Sequence, residues 1–307
     1  MPASAPCPPT AACPPTFVLG APRSGTSLVY KALCLHPDAA WISNYVRSVP
    51  TRRELALLNR VAHHAPGRRN RAWFGADGRN AYVYGAPRSA ADRYFPMPVE
   101  GEPVLRWCGF PELPGGTVRP DAALRLRQVV RQVVRWGGGS QFINKRIANN
   151  QRVPQLLEAF PNARFVVVTR DGRAVAASLA KVDWWPTTRL FWCPQTPQAW
   201  VQAGGDGWEL CAQEWVHQLR SIEDGLMAVP DDQITRVRFE HFIESPRAAL
   251  MALADVIGLR QSQRWESDLE RLSFPARGHL WASELEPQAI QTIERVQLPL
   301  LQTHGYA

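Results

Sequence analysis

Gly20 and Gly25 stand five apart and are followed at once by two hydroxyl residues, in Gly20-Ala21-Pro22-Arg23-Ser24-Gly25-Thr26-Ser27. That is the spacing of a phosphate-binding P-loop, except that Thr26 stands where the loop's lysine belongs. Backbone N–H groups of Ser24 to Ser27 at a helix N-terminus would cradle a phosphate. Arg23 adds a forked charge, and Thr26 and Ser27 add hydroxyls. Without the lysine such a loop is poorly suited to ATP γ-phosphoryl transfer but still suits a 5′-phosphate. A second constellation is Thr169-Arg170-Asp171-Gly172-Arg173, with Ser178 eight residues after Arg170. An arginine at a strand's C-terminal end and a serine about two helical turns on can grip one phosphate between them.

Both constellations need a strand to deliver them and a helix to receive them. Phe17 to Leu19 reads as a short apolar strand, and Thr26 to Leu35 carries Leu28, Val29, Ala32 and Leu33 at helical spacing. Arg164 to Thr169 is the strongest strand, a β-branched apolar run of the kind buried on both faces of a parallel sheet. Further strands are expected at Ala39 to Ser43, Gln141 to Asn144 and Gln233 to Phe242. Helices are expected at Asp121–Trp136, Arg152–Phe160, Asp171–Lys181, Trp208–Met227, 246–257 and 287–302. Residues 46–103 read as short helices and loops. The alternation implies an α/β fold, a P-loop-like three-layer sandwich with a mostly parallel central sheet flanked by helices.

The 307 residues, 45% hydrophobic, suffice for a full core, and the net charge of +8 suits a polyanionic nucleotide as well as a nucleic acid. No RNA-binding aromatic signature is present on a strand, so nucleic acid is not expected as a partner. The six cysteines form no CxxC pair, so neither a zinc site nor a disulfide framework is indicated, and a cytoplasmic protein without a metal is expected. Neither a membrane span nor a secretory signal is expected. Residues 1–15, all Met, Ala, Pro, Ser, Thr and Cys, read as a disordered tail ahead of a single domain at 16–307.

The two motifs, in this order, resemble those of PAPS-dependent sulfotransferases, where PAPS is 3′-phosphoadenosine 5′-phosphosulfate. Residues 20–27 look like the 5′-phosphosulfate loop and 170–178 like the 3′-phosphate motif. The likeness to bacterial and tyrosylprotein sulfotransferases extends through Phe160-Pro161-Asn162-Ala163-Arg164-Phe165, through Val237-Arg238-Phe239-Glu240-His241-Phe242, and to Pro299-Leu300-Leu301 with Gly305-Tyr306. The resemblance implies that Arg23, Ser24, Gly25, Thr26 and Ser27 hold the 5′-phosphosulfate, with Arg23 in place of the cytosolic branch's lysine. It implies that Arg170 and Ser178 hold the 3′-phosphate and that Arg277 belongs to a loop closing on the nucleotide. Lys145, matching the lysine that ends the central strand in the tyrosylprotein branch, would stabilise charge on the breaking bridge, with Arg23 meeting more of the donor's charge. The implied activity is sulfuryl transfer from PAPS to a hydroxyl or amine of a small-molecule or peptide acceptor. A P-loop kinase, with Asp171 as its Walker-B-like acid, and a non-catalytic PAP- or nucleic-acid-binding protein are the alternatives.

Relatives often place a Glu or His base shortly after the first helix, where this chain has Ser43 and Asn44. Glu54, His63 and His64 are the candidates from farther along. Phe239 stands where relatives often have Tyr, which removes one hydrogen bond. Trp184, Trp185, Trp192, Trp200 and Trp208 form either core beneath a loop or a pocket for an aromatic acceptor.

Overall fold

A computed structural model describes residues 13–75, 92, 94–113, 116–274 and 281–307. Five strands, β1 (Thr16–Leu19), β2 (Ala39–Ala40), β3 (Gln141–Lys145), β4 (Arg164–Thr169) and β5 (Ile234–Arg238), form one sheet. Their order is β2-β3-β1-β4-β5, and every pairing between these strands is parallel. β1 lies inside the sheet, with Val18 opposite both Lys145 of β3 and Val166 of β4.

Side chains alternate between the faces of a strand, so both faces of this sheet must be covered. Phe17, Leu19, Phe142, Phe165 and Val167 join one core; Val18, Ile143, Val166 and Val168 join another. The helices that supply these layers are numbered here along the chain: α1 (Thr26–Cys34), α2 (Glu102–Cys108), α3 (Ala122–Gly137), α4 (Val153–Ala159), α5 (Gly172–Leu179), α6 (Gly207–Leu226), α7 (Phe239–Glu244), α8 (Pro246–Ile257), α9 (Gln263–Glu270) and α10 (Pro287–Thr303). The first core takes α2, α3, α4 and α6; the second takes α1, α8 and α9. This is the expected α/β sandwich. Among the described residues no helix is long and apolar enough to cross a membrane.

Three expectations differ in detail. The last strand stops at Arg238 and α7 begins at Phe239, because Phe239 and Phe242, three apart, turn inward together only on a helix. β2 is two residues long, and Ser43, expected in it, caps the next helix, its Oγ accepting from Val46 N at 3.4 Å. The carbonyls of Pro14 and Pro15 accept from Gln141 Nε2 at 2.6 Å and Arg164 N at 2.9 Å, so docking to the sheet begins just upstream of residue 16. Residues 1–12 of the expected tail lie outside the described residues.

Candidate active site

The C-terminal ends of β3, β1 and β4 are neighbours, so Lys145, the 20–27 loop and Arg170 converge on one edge of the sheet. The loop's path forces its composition. At Gly20 a Cβ would sit 2.4 Å from the Val168 carbonyl oxygen, and at Gly25 it would sit 2.3 Å from the Phe239 ring. Gly25 has φ +87°, and Arg23, at +69°, is the one non-glycine with positive φ among the described residues. Such a backbone costs a side-chain-bearing residue on the order of 1 kcal/mol and tends to occur at ligand clamps. α1 starts at Thr26, so its first-turn N–H groups open into the loop. Ser24 is buried, and its Oγ has no hydrogen-bond partner among the described residues.

The two anion motifs meet. Arg23 Nε donates to Ser178 Oγ at 3.0 Å, and Arg170 Nη1 donates to the Arg23 carbonyl at 2.9 Å. The Arg170 guanidinium lies 4.9 Å from the centre of the Phe239 ring. Phe239 therefore fills the space beneath Gly25 and seats Arg170, rather than merely lacking a hydroxyl. Asp171 is committed elsewhere: its side chain caps α5 by accepting from Arg173 N at 2.9 Å, and both its oxygens accept from the Arg173 guanidinium. Arg277 lies outside the described residues.

Lys145 ends β3, buried, and donates to Glu100 Oε1. Glu100 Oε2 accepts from Arg146 Nη1 at 2.7 Å, Arg146 Nε donates to Glu102 Oε2 at 2.9 Å, and Arg152 donates to both Glu102 oxygens. Burial pushes the Glu100 carboxyl up, but the charges of Lys145 and Arg146 and their hydrogen bonds outweigh it and hold the group at about 2. Three neighbours fix the segment: Asn144 Nδ2 donates to the Glu100 carbonyl (3.2 Å), Tyr30 Oη to the Val99 carbonyl (3.2 Å), and Val99 N to the Ile42 carbonyl (3.0 Å). Sequence reasoning missed Glu100. It lies 45 residues upstream of Lys145 in a segment of weak periodicity, and only the Glu-Gly-Glu run opposite Lys-Arg hints at the pairing.

The other candidates singled out from the sequence sit apart from the Lys145–Glu100 pair in the hydrogen bonds and ion pairs of the described residues. Asn44 ties down the chain at Phe95 and Met97, accepting from Met97 N and donating to the Phe95 carbonyl. Glu54 is exposed and pairs with Arg52. Burial, then Arg69 and Arg264, hold the His63 ring down at about 4, and His64 ends the same short helix, Asn59–His64.

A second polar chain, also absent from the sequence reading, reaches the loop from beneath. Asn150 Oδ1 accepts from Gly20 N (3.2 Å), and its amide donates to the Gly20 carbonyl (3.0 Å) and to Gln218 (2.7 Å). Gln218 donates to Glu214 at 2.8 Å, as does the Trp192 ring at 2.6 Å. Burial raises the Glu214 carboxyl to about 7 against the pull of these two hydrogen bonds. The tryptophan-rich segment divides. Trp185 joins a small core with α5, α6 and α10, Trp184 is exposed, and Trp192 stacks on His217 at 4.3 Å.

A model of the sulfotransferase family matches residues 14–263. Sulfotransferase STF9 from Mycobacterium avium shares the fold at 15% identity and a TM-score of 0.57, covering 96% of this chain and 77% of that one. A sulfotransferase domain from the curacin biosynthetic pathway aligns at 14% identity and a TM-score of 0.49, covering 94% of this chain and 98% of that one. No curated protein matches the sequence.

Proposed function

The chain belongs to the sulfotransferase family, and from that premise we propose that it transfers a sulfuryl group from PAPS to the hydroxyl, or amine, of a small-molecule or peptide acceptor, releasing PAP. Residues 16–307 work as one catalytic unit in this reading. The observation that carries it is the junction of the two anion motifs: Arg23 bonded to Ser178, with Arg170 braced on the Arg23 carbonyl. A 5′-phosphate loop and a 3′-phosphate pair so joined suit one nucleotide phosphorylated at both ends.

The residues present fit that donor. The orphaned Ser24 Oγ is a donor awaiting an acceptor, and the α1 N-terminus and Arg23 supply positive potential beside it. The donor brings a phosphosulfate whose bridging S–O bond is the one to be broken. Arg23, Ser24, Gly25, Thr26 and Ser27 hold its 5′ end, and Arg170 and Ser178 hold its 3′-phosphate. Lys145 carries the charge that grows on the bridging oxygen, a service worth ~3 kcal/mol for a well-placed donor. The loop carries Thr26 in place of a P-loop lysine, and Asp171 is engaged by Arg173, which weighs against nucleoside-triphosphate chemistry.

The test has two arms. Calorimetry with PAP should show stoichiometric binding. Incubation with PAPS and a panel of phenols, alcohols and amines should yield, by mass spectrometry, a product heavier by one SO₃. A protein that binds no PAP refutes the reading.

A further inference from the structure

We propose that Glu100 is the general base of the reaction, exchanging Lys145 for the acceptor's hydroxyl once the donor is bound; this rests on the sulfuryl-transfer reading above. The assignment starts from how the ion pair faces. The Lys145 side chain is 5% exposed and the Glu100 side chain 34%, so of the two it is Glu100 that solvent reaches. In this proposal the acceptor reaches the pair from the Glu100 side.

The carboxylate is held for the exchange. Its Oε1 belongs to Lys145 and its Oε2 to Arg146, while the Arg146 guanidinium is itself anchored on Glu102. When Lys145 turns to the bridging oxygen, Arg146 keeps the carboxylate oriented and Oε1 is released. The backbone does not follow, because Asn144, Tyr30 and Ile42 pin residues 99–100. Charged and titratable groups facing Glu100 are Lys145 and Arg146 from β3 and its following residue, and Tyr30 from α1. Glu102, on the same segment, shares Arg146. Losing the lysine removes one of the two cations that hold the carboxyl near 2, so its proton affinity rises as the donor binds.

The step balances. The acceptor O–H bond breaks as its oxygen forms the new bond to sulfur, and the proton passes to Glu100 Oε1. The bridging S–O bond breaks with its electron pair remaining on the 5′-phosphate oxygen beside Lys145. Glu100 then returns the proton to solvent. A carboxylate suffices because a hydroxyl becomes strongly acidic as its oxygen bonds to sulfur.

Glu100→Gln and Glu100→Asp decide it, with PAP as the binding probe and the acceptor returned by the mass-spectrometric panel as the turnover probe. Glu100→Gln should lower kcat by about 10²- to 10⁴-fold. PAP should bind it within about threefold of wild type, or more tightly, because Lys145 has lost its competing partner. Glu100→Asp should recover about tenfold or more of that kcat. The acid limb of the wild-type kcat profile should be absent from Glu100→Gln. A merely structural counter-ion would instead weaken PAP binding and turnover together. Glu100→Gln with kcat within about twofold of wild type, or with PAP binding weakened about tenfold alongside kcat, overturns the assignment while leaving the sulfotransferase reading intact. Wild-type protein that binds no PAP, or returns no sulfated product, overturns both.

Discussion

Adding one methyl group at Gly25 tests the anion loop most directly. At φ +87° an alanine carries a left-handed backbone cost of ~1–2 kcal/mol. Its Cβ would also fall 2.3 Å from two carbons of the Phe239 ring, where a relaxed contact needs ~3.5–4.0 Å. The ring, 2% exposed, is packed against Phe242 and lies under Arg170, so it cannot retreat without moving the arginine. Overpacking of this kind costs ~1–3 kcal/mol, which brings the total to roughly 2–5 kcal/mol. Calorimetric unfolding of Gly25→Ala should show a fall in Tm of roughly 4–10 °C, and titration should show weakened PAP binding. The decisive measurement is the cycle with Phe239→Leu. A smaller side chain relieves the clash but not the backbone cost, so the two changes should couple by ~1 kcal/mol or more. A Gly25→Ala protein within ~0.5 kcal/mol of wild type, or a cost indifferent to Phe239→Leu, would refute the account of the loop as shaped around that ring.

Lys145→Ala should lower turnover by about 10²- to 10³-fold while leaving PAP binding within a few fold, whereas Arg170→Ala should raise the PAP Kd roughly ten- to hundredfold, both read by steady-state kinetics and calorimetry. Glu214 has a folded pKa of about 7, raised above the ordinary Glu value of roughly 4.3, so its contribution to stability is full below the latter and lost as pH rises towards the former. Urea midpoints should therefore fall between about pH 5 and 7 in wild type relative to Glu214→Gln, with a slope difference of up to roughly 1.4 kcal/mol per pH unit; parallel curves would contradict it. Asp268→Ala strands the buried Arg69, its partner at 2.5 Å, and should cost ~3–5 kcal/mol in the same assay.

What could be read from the sequence follows how each signal is encoded. β4 was legible because a strand buried on both faces must be continuously apolar, and Arg164 to Thr169 nearly is. The loop was legible because close backbone approach admits only glycine at positions 20 and 25. The end of β5 was misread because Phe239 and Phe242 have strand propensity, and only the packing of their rings selects a helix. Glu100 and the Asn150–Gln218–Glu214 chain escaped notice for a different reason. Their meaning lies in which distant partner they meet, and no local periodicity records that. Phe239, counted from the sequence as a lost hydrogen bond, acquires its role only when Gly25 and Arg170 are set against it.

The interior position of β1 has a consequence for biosynthesis. This strand is made well before either of its neighbours: Thr16 pairs with Ile143 on one side and with Arg164 on the other. At translation rates of ~5–20 residues per second, the nascent chain carries β1 with both hydrogen-bonding edges open for roughly 6–25 s until β3 is complete, and with the β4-side edge open for roughly 8–30 s. Phe17 and Leu19 stay exposed for the same interval. Recovery of folded protein should therefore respond to slower expression, lower temperature and added chaperone more than to surface substitutions, because the vulnerable species precedes the native surface altogether.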